Sequence, residues 1–213
     1  MFTNHSKSEN CPVLNIANPV FPHQVHTLRI NEGRNQTSSP TTLLTSRQII
    51  LIPEQQLLPL TQGTICLIKA ARQREDGRIS LLIHGINRVC LPTTSAGATD
   101  RQIDDTFQWL TSRPPESCAG AQLIHQLKTQ LTSIIASFPK ELAQELREII
   151  SKAGDREEVL ADLVAGIFVQ DNRMLRKLFF ESSVQSRLEL LTAYFEHFQL
   201  PTSPNKPGRE LFA

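Results

Sequence analysis

Residues 63–91, GTICLIKAARQREDGRISLLIHGINRVCL, constrain the fold of this chain more than any other stretch. Thr64–Ala70 and Arg78–His84 are apolar runs of strand length, separated by a polar tip that carries the turn-forming pair Asp76-Gly77. The segment therefore predicts a β-hairpin. Ile79, Leu81 and Ile83 alternate with Ser80, Leu82 and His84, so one face of the second strand is aliphatic and the other mixed. Gly85 interrupts that strand where a bulge or sharp bend is expected, before a third run ends at Leu91.

Around this hairpin, Gly63-Thr64, Asp76-Gly77 and the Gly85-x-x-Arg88 step keep a recognisable spacing. Upstream, 12–22 (PVLNIANPVFP) ends in a Val-Phe-Pro turn, and Val25–Ile30 forms a second apolar run. Gly33-Arg34 and 47–52 (RQIILI) follow. Downstream, 160–168 (LADLVAGIF) and 186–191 (SRLELL) have helical spacing. In order and spacing these segments resemble the amino-terminal domain of the Lon protease family over residues 12–198. That domain also occurs alone in small bacterial proteins and inside cereblon-type substrate receptors, and a stand-alone bacterial member is the form expected here. The resemblance implies an α+β fold, a PUA-like pseudo-β-barrel subdomain followed by an α-helical bundle. It also shows departures: the family usually has glycine after Phe-Pro and a Leu-Pro step in the second strand. Here those places hold His23 and His26-Thr27, and without the proline Val25–Ile30 is a better ladder strand.

Aromatic residues divide the chain. Between Cys11 and Thr106 only Phe21 is aromatic, whereas residues 107–213 hold Trp109, Tyr194 and eight phenylalanines. An aliphatic β-core is therefore expected first and a ring-filled helical core second. The predicted organisation is a disordered extension at 1–11, a β-rich subdomain at 12–95 and a linker at 96–106. A helical bundle at 107–199 and a Pro-rich disordered tail at 200–213 complete it. In the bundle, Leu123, Leu127, Leu131, Ile134 and Ile135 recur at helical spacing up to a stop at Pro139. Leu142, Leu146, Ile149 and Ile150 form the next stripe, with Gly154 as its C-terminal glycine. Asp155 with Glu158, Asp171, and Ser182 with Gln185 are the expected caps of the three helices that follow.

Composition excludes several function classes. A formal net charge of +1 gives no global attraction to nucleic acid or to an anionic membrane. The apolar runs are too short for a membrane-spanning helix, and the polar start has no signal-peptide core. Cys11, Cys66, Cys90 and Cys118 are scattered without C-x-x-C spacing, which reads as free thiols and a cytoplasmic protein.

No catalytic residues are expected. None of the nine glycines precedes a lysine, so the phosphate-cradling G-x-x-x-x-G-K-[ST] loop of an ATPase is missing, and neither G-x-S-x-G nor H-E-x-x-H occurs. No cofactor or metal is expected. His23-x-x-His26 has ligand spacing only on a helix, and here it enters a strand. What the resemblance implies is recognition of unfolded or exposed polypeptide segments, in protein quality control or proteolysis. Phe21, Pro22, Val25, Leu28 and Ile30 are the expected polypeptide-binding edge, where a strand could be added to the sheet. An ATP-dependent protease is the expected partner, with a fragment or accessory of such a protease as the alternative. The Pro-rich ending favours a complete small protein. A basic cluster of Lys69, Arg72, Arg74, Arg78 and Arg88 admits an RNA-binding alternative, with Arg72, Arg74 and Arg78 as the contact. Without aromatic residues to stack bases, that alternative is the weaker one.

Overall fold

The structure is a computed structural model, and it describes residues 11–30, 40–54, 60–74, 78–92, 107–114, 117–154 and 156–197. The chain divides into two compact units, Met1–Thr111 and Ser112–Ala213. Residues 1–10 of the expected extension at 1–11, the linker at 96–106 and the tail at 200–213 lie outside the described residues.

The first unit is built on a six-stranded sheet in the order β1-β3-β4-β5-β2, with β6 pairing β5. Its strands are β1 (Val13–Ile16), β2 (Val25–Ile30), β3 (Gln48–Pro53), β4 (Leu60–Gln73), β5 (Ile79–Pro92) and β6 (Gln108–Trp109), with helix α1 (Pro40–Thr45) before β3. The 14-residue strands β4 and β5 form the predicted hairpin, longer than the apolar runs alone indicated. Two register irregularities, at Ile65/Cys66 and Ile68/Ala70, let this long ladder curl into a partly open barrel. The first lies opposite the step from Gly85 to Asn87, the bend expected from Gly85.

Strand β3 is buried on both faces, which explains its unbroken run of isoleucine and leucine. Ile49 and Leu51 join Leu81, Ile83 and Leu43 in one cluster. Ile50 and Ile52 join Val89, Leu91 and Phe107 in another. Each fully buried aliphatic side chain contributes about 1.5–3 kcal/mol, so these two clusters dominate the unit's stability. The sheet also runs further than expected. Phe107 opens the range expected for the bundle, yet Gln108 and Trp109 pair with Cys90 and Val89. The Phe107 ring, 8% exposed, packs edge-on to Trp109 at 5.3 Å. Burying these two rings against the aliphatic cluster outweighs their kinship in composition with the later helices.

The second unit contains α2 (Ser117–Ile135), α3 (Lys140–Ala153), α4 (Glu157–Phe168), α5 (Asn172–Phe180) and α6 (Val184–Glu196). Helix α4 is buried almost all round and forms the centre of this core. Phe168 meets Phe195 of α6 edge-to-face at 6.2 Å. Gly154 closes α3 at φ 61°, a conformation that suits glycine. Asp171 caps α5 by accepting from the N–H groups of Arg173 and Met174, each at 3.2 Å. Of the other two expected caps, Asp155 lies outside the described residues and the one on α6 differs. Ser183, not Ser182, caps α6 through the Ser186 N–H, and the Ser182 carbonyl accepts from the Arg113 N–H at 2.9 Å. Residue Arg156 precedes α4 without a side-chain cap, and the Glu158 carboxylate instead accepts from the Ser112 hydroxyl.

Candidate functional site

The spaced motif residues converge on one structural task. Thr64 is fully buried, and its Oγ1 donates to the Val20 carbonyl at 2.6 Å. Gly85 has no room for a side chain: a Cβ there would stand 2.3 Å from the Phe21 carbonyl oxygen. Its backbone instead accepts from the His23 N–H at 2.8 Å and donates to the Gln24 carbonyl at 2.9 Å. Gly63 is equally closed, with a Cβ position 2.7 Å from the Leu51 carbonyl oxygen. The Arg88 guanidinium lies over the Phe21 ring at 5.7 Å. Thr64, Gly85 and Arg88 thus clamp the Val20-Phe21-Pro22 turn against the hairpin, and the turn delivers the chain into β2.

This arrangement decides where the expected binding residues stand. Phe21 is 0% exposed, and Pro22 and Ile30 are also buried, so they hold the turn and the end of β2 rather than offer surface. Leu28 is half-buried and packs against the core cluster opposite Leu81. Val25 alone is well exposed, at 59%. Sequence pattern had marked an apolar run without separating its two faces; in a strand, alternate residues face opposite ways. Val25, Thr27 and Arg29 point outward, while Leu28 and Ile30 point to the core.

The outward face continues across three strands. Val25 pairs with His84, Thr27 with Leu82 and Arg29 with Ser80, and on the other side of β5 those three residues pair with Leu67, Ala70 and Arg72 of β4. Leu82 at 39% and Ile86 at 41% join Val25 as the exposed large hydrophobic residues among those described. Leu82 is legible as the one aliphatic residue on the mixed side of its strand, whereas Val25, which pairs with His84 one row away, is identifiable as part of the same face only with the register. Strand β2 stands at the end of the sheet order, and among the described residues no strand pairs with its other edge.

Arg72, Arg74 and Arg78 are exposed at the far end of the hairpin, as expected. Arg88 is not part of that cluster, being 4% exposed and committed to Phe21. The hairpin tip at 75–77 lies outside the described residues. Partial burial, with Lys69 and His23 nearby, lowers the His84 pKa below its ordinary 6.5. Burial, with Cys11 nearby, pushes the Cys66 thiol up to about 12, which marks it as a packing residue and a poor nucleophile. Cys11, Cys66 and Cys90 are free thiols. Among the described residues no group of three His, Cys, Asp or Glu side chains is placed to hold a metal ion. No helix among them is long and apolar enough to cross a membrane.

The family model for the ATP-dependent protease La (LON) substrate-binding domain matches residues 10–197. The chain belongs to this family. Among solved structures, this LON domain is similar to the N-terminal domain of the Mycobacterium avium complex Lon protease, at 18% identity and a TM-score of 0.62. That match covers 89% of this chain and 99% of the other. It is also similar to a Lon N-terminal domain protein from Xanthomonas campestris, at 15% identity and a TM-score of 0.50, over 86% of this chain and 97% of the other. A comparison with curated protein sequences gave no match. At these identities the solved structures establish the fold: a PUA-like sheet unit followed by a helical bundle.

Proposed function

We propose that this LON domain is a non-catalytic recognition module that receives exposed polypeptide segments as an added strand along the edge of β2. The observation that carries this reading is the edge of β2 with which no strand pairs among the described residues, beside an outward face bearing the exposed Val25. An added strand draws affinity from backbone hydrogen bonds and selectivity from alternate side chains. A segment that is still folded cannot present its backbone in this way, so the mode selects unfolded or damaged chains. Micromolar capture corresponds to roughly 8 kcal/mol, comparable with the ~5–15 kcal/mol stability of a typical client domain. Capture alone therefore biases a marginal client towards opening. Extraction of the client falls to a motor, and an ATP-dependent protease is the partner we propose, in cytoplasmic protein quality control.

The test is fluorescence anisotropy of the full chain with a labelled, permanently unfolded model client, for the wild type and Val25→Asp. Binding by the wild type and a loss of at least tenfold in the variant are expected. Absence of binding to unfolded clients would remove the reading.

A further inference from the structure

The backbone groups of β2 divide between its two edges. Gln24 donates its N–H to the Phe21 carbonyl at 3.3 Å and accepts from the Gly85 N–H at 2.9 Å. The second bond sets the phase of the ladder. Hydrogen-bonded and non-hydrogen-bonded residue pairs alternate in an antiparallel ladder, and a bond one step before the Val25–His84 pair makes that pair non-hydrogen-bonded. His26, Leu28 and Ile30, opposite Ile83, Leu81 and Ile79, therefore turn their N–H and C=O groups to β5. The bond from the Arg74 N–H to the Arg78 carbonyl, at 2.8 Å on the other side of β5, agrees: it leaves the groups of Ile79 facing β2. Val25, Thr27 and Arg29 turn their backbone groups away from β5, to the edge with which no strand pairs among the described residues. Arg29 has an interaction of its own, so the groups offered there are those of Val25 and Thr27, one donor and one acceptor each. The two residues stand roughly 7 Å apart along the strand, the spacing of alternate residues in any extended chain.

We infer that the N–H and C=O groups of Val25 and Thr27 are the anchor of the site, and that its occupant is an extended polypeptide segment with unsubstituted N–H groups at two alternate residues. The inference rests on the added-strand reading above and names the atoms that hold the segment. Every residue except proline carries both backbone groups, so the anchor tolerates many side chains. A proline at either of the two alternate residues removes a donor, while a proline between them removes an N–H that faces away from β2. The phase of β2 is what makes the anchor. A shift by one residue at the Gly85 contact would turn the groups of Val25 and Thr27 to β5 and leave those of His26 and Leu28 at the edge. The bonds of Gly85 to His23 and Gln24 therefore fix which residues meet the client.

Residue-resolved amide exchange of the full chain by NMR, with and without a saturating unfolded model client, tests the inference. The client is expected to slow the Val25 and Thr27 amides by about tenfold or more, while His26 and Leu28, already bonded within the sheet, change far less. Thr27→Pro removes the edge donor and leaves the β5 ladder whole, since proline is accepted in an edge strand with its nitrogen outward. By anisotropy that variant is expected to bind the client about tenfold more weakly, whereas Thr27→Val, which keeps the N–H, stays within about twofold of the wild type. Circular dichroism checks that both variants fold, and the wild-type exchange pattern decides the matter if Thr27→Pro does not. Protection that falls on Arg29 without Val25 and Thr27, or a folded Thr27→Pro that binds as tightly as the wild type, would overturn the assignment and leave polypeptide capture at β2 standing. Absence of client binding, or binding that slows no β2 amide, would overturn both.

Discussion

Arg187 of α6 and Asp162 of α4 form an ion pair sealed from solvent, their side chains 1% and 0% exposed. The guanidinium also donates to the Ser112 Oγ at 2.7 Å, and that hydroxyl in turn donates to Glu158. The segment entering the bundle is thereby fastened to α4 and α6, and the Arg113 backbone bonds alongside, to Ser182 and Val184. Each charge is tolerated inside because the other is there. Removing one partner leaves an uncompensated buried charge, whereas replacing both by apolar residues of similar volume does not.

Arg187→Met is therefore expected to lower unfolding stability by about 3–5 kcal/mol, and Asp162→Leu similarly. The double variant is expected to recover most of that loss. Urea denaturation of the four proteins checks this, and purely additive losses would contradict it.

Gly85→Ala is expected to destabilise the sheet unit by about 2–3 kcal/mol, since the new Cβ meets backbone that cannot swing aside. The same substitution displaces the Phe21-Pro22 turn and, through it, the entry into β2. Thermal denaturation gives the first effect, and the anisotropy assay with an unfolded client gives the second.

His23 has φ 65°, the one positive value at a non-glycine position among the described residues. The left-handed conformation costs a non-glycine residue about 1–2 kcal/mol, while glycine has an entropic cost of its own of about 0.5–1 kcal/mol. His23→Gly is thus expected to stabilise the protein by about 0.5–1 kcal/mol, read from the shift in denaturation midpoint. A loss of stability would show that the imidazole contributes more than its backbone strain removes.

The His84 pKa is lowered in the folded state by partial burial and by Lys69 and His23. Below the ordinary value of 6.5 the unfolded chain therefore binds more protons than the folded one. Stability from this group is present at neutral pH and is lost as pH falls through that value towards the lower folded pKa. Denaturation midpoints at pH 7.5 and 5.5 should differ less for His84→Gln than for the wild type. Equal pH dependence in the two proteins would contradict the assignment.

Much of this was written in the sequence because local signals and burial agreed. The alternation of Ile79, Leu81 and Ile83, the bend at Gly85 and the stop at Gly154 depend on a few adjacent residues, and each stands where expected. The glycine-to-histidine departure at His23 falls on the one non-glycine residue with positive φ among those described, since that position requires a conformation glycine adopts freely. The site was less legible because exposure depends on register. Ile30 belongs to the same apolar run as Val25, and only pairing with β5 separates inward from outward residues; Phe21 and Pro22 are buried by packing against Gly85, 63 residues on from Pro22, a contact that no local pattern gives. Arg88 read as surface charge, and nothing in its neighbours announced the Phe21 ring beneath it. Arg187 and Asp162 are 25 residues apart and sit in otherwise apolar helical stripes, a signal of buried charge that gives no partner.

Hydrogen–deuterium exchange of the full chain, with and without a saturating unfolded client, tests the central claim most directly. Protection of the β2 amides at 25–30, with smaller changes on β5 and β4, is the expected result. Unchanged exchange along β2 together with client-induced protection confined to the helical unit would contradict it.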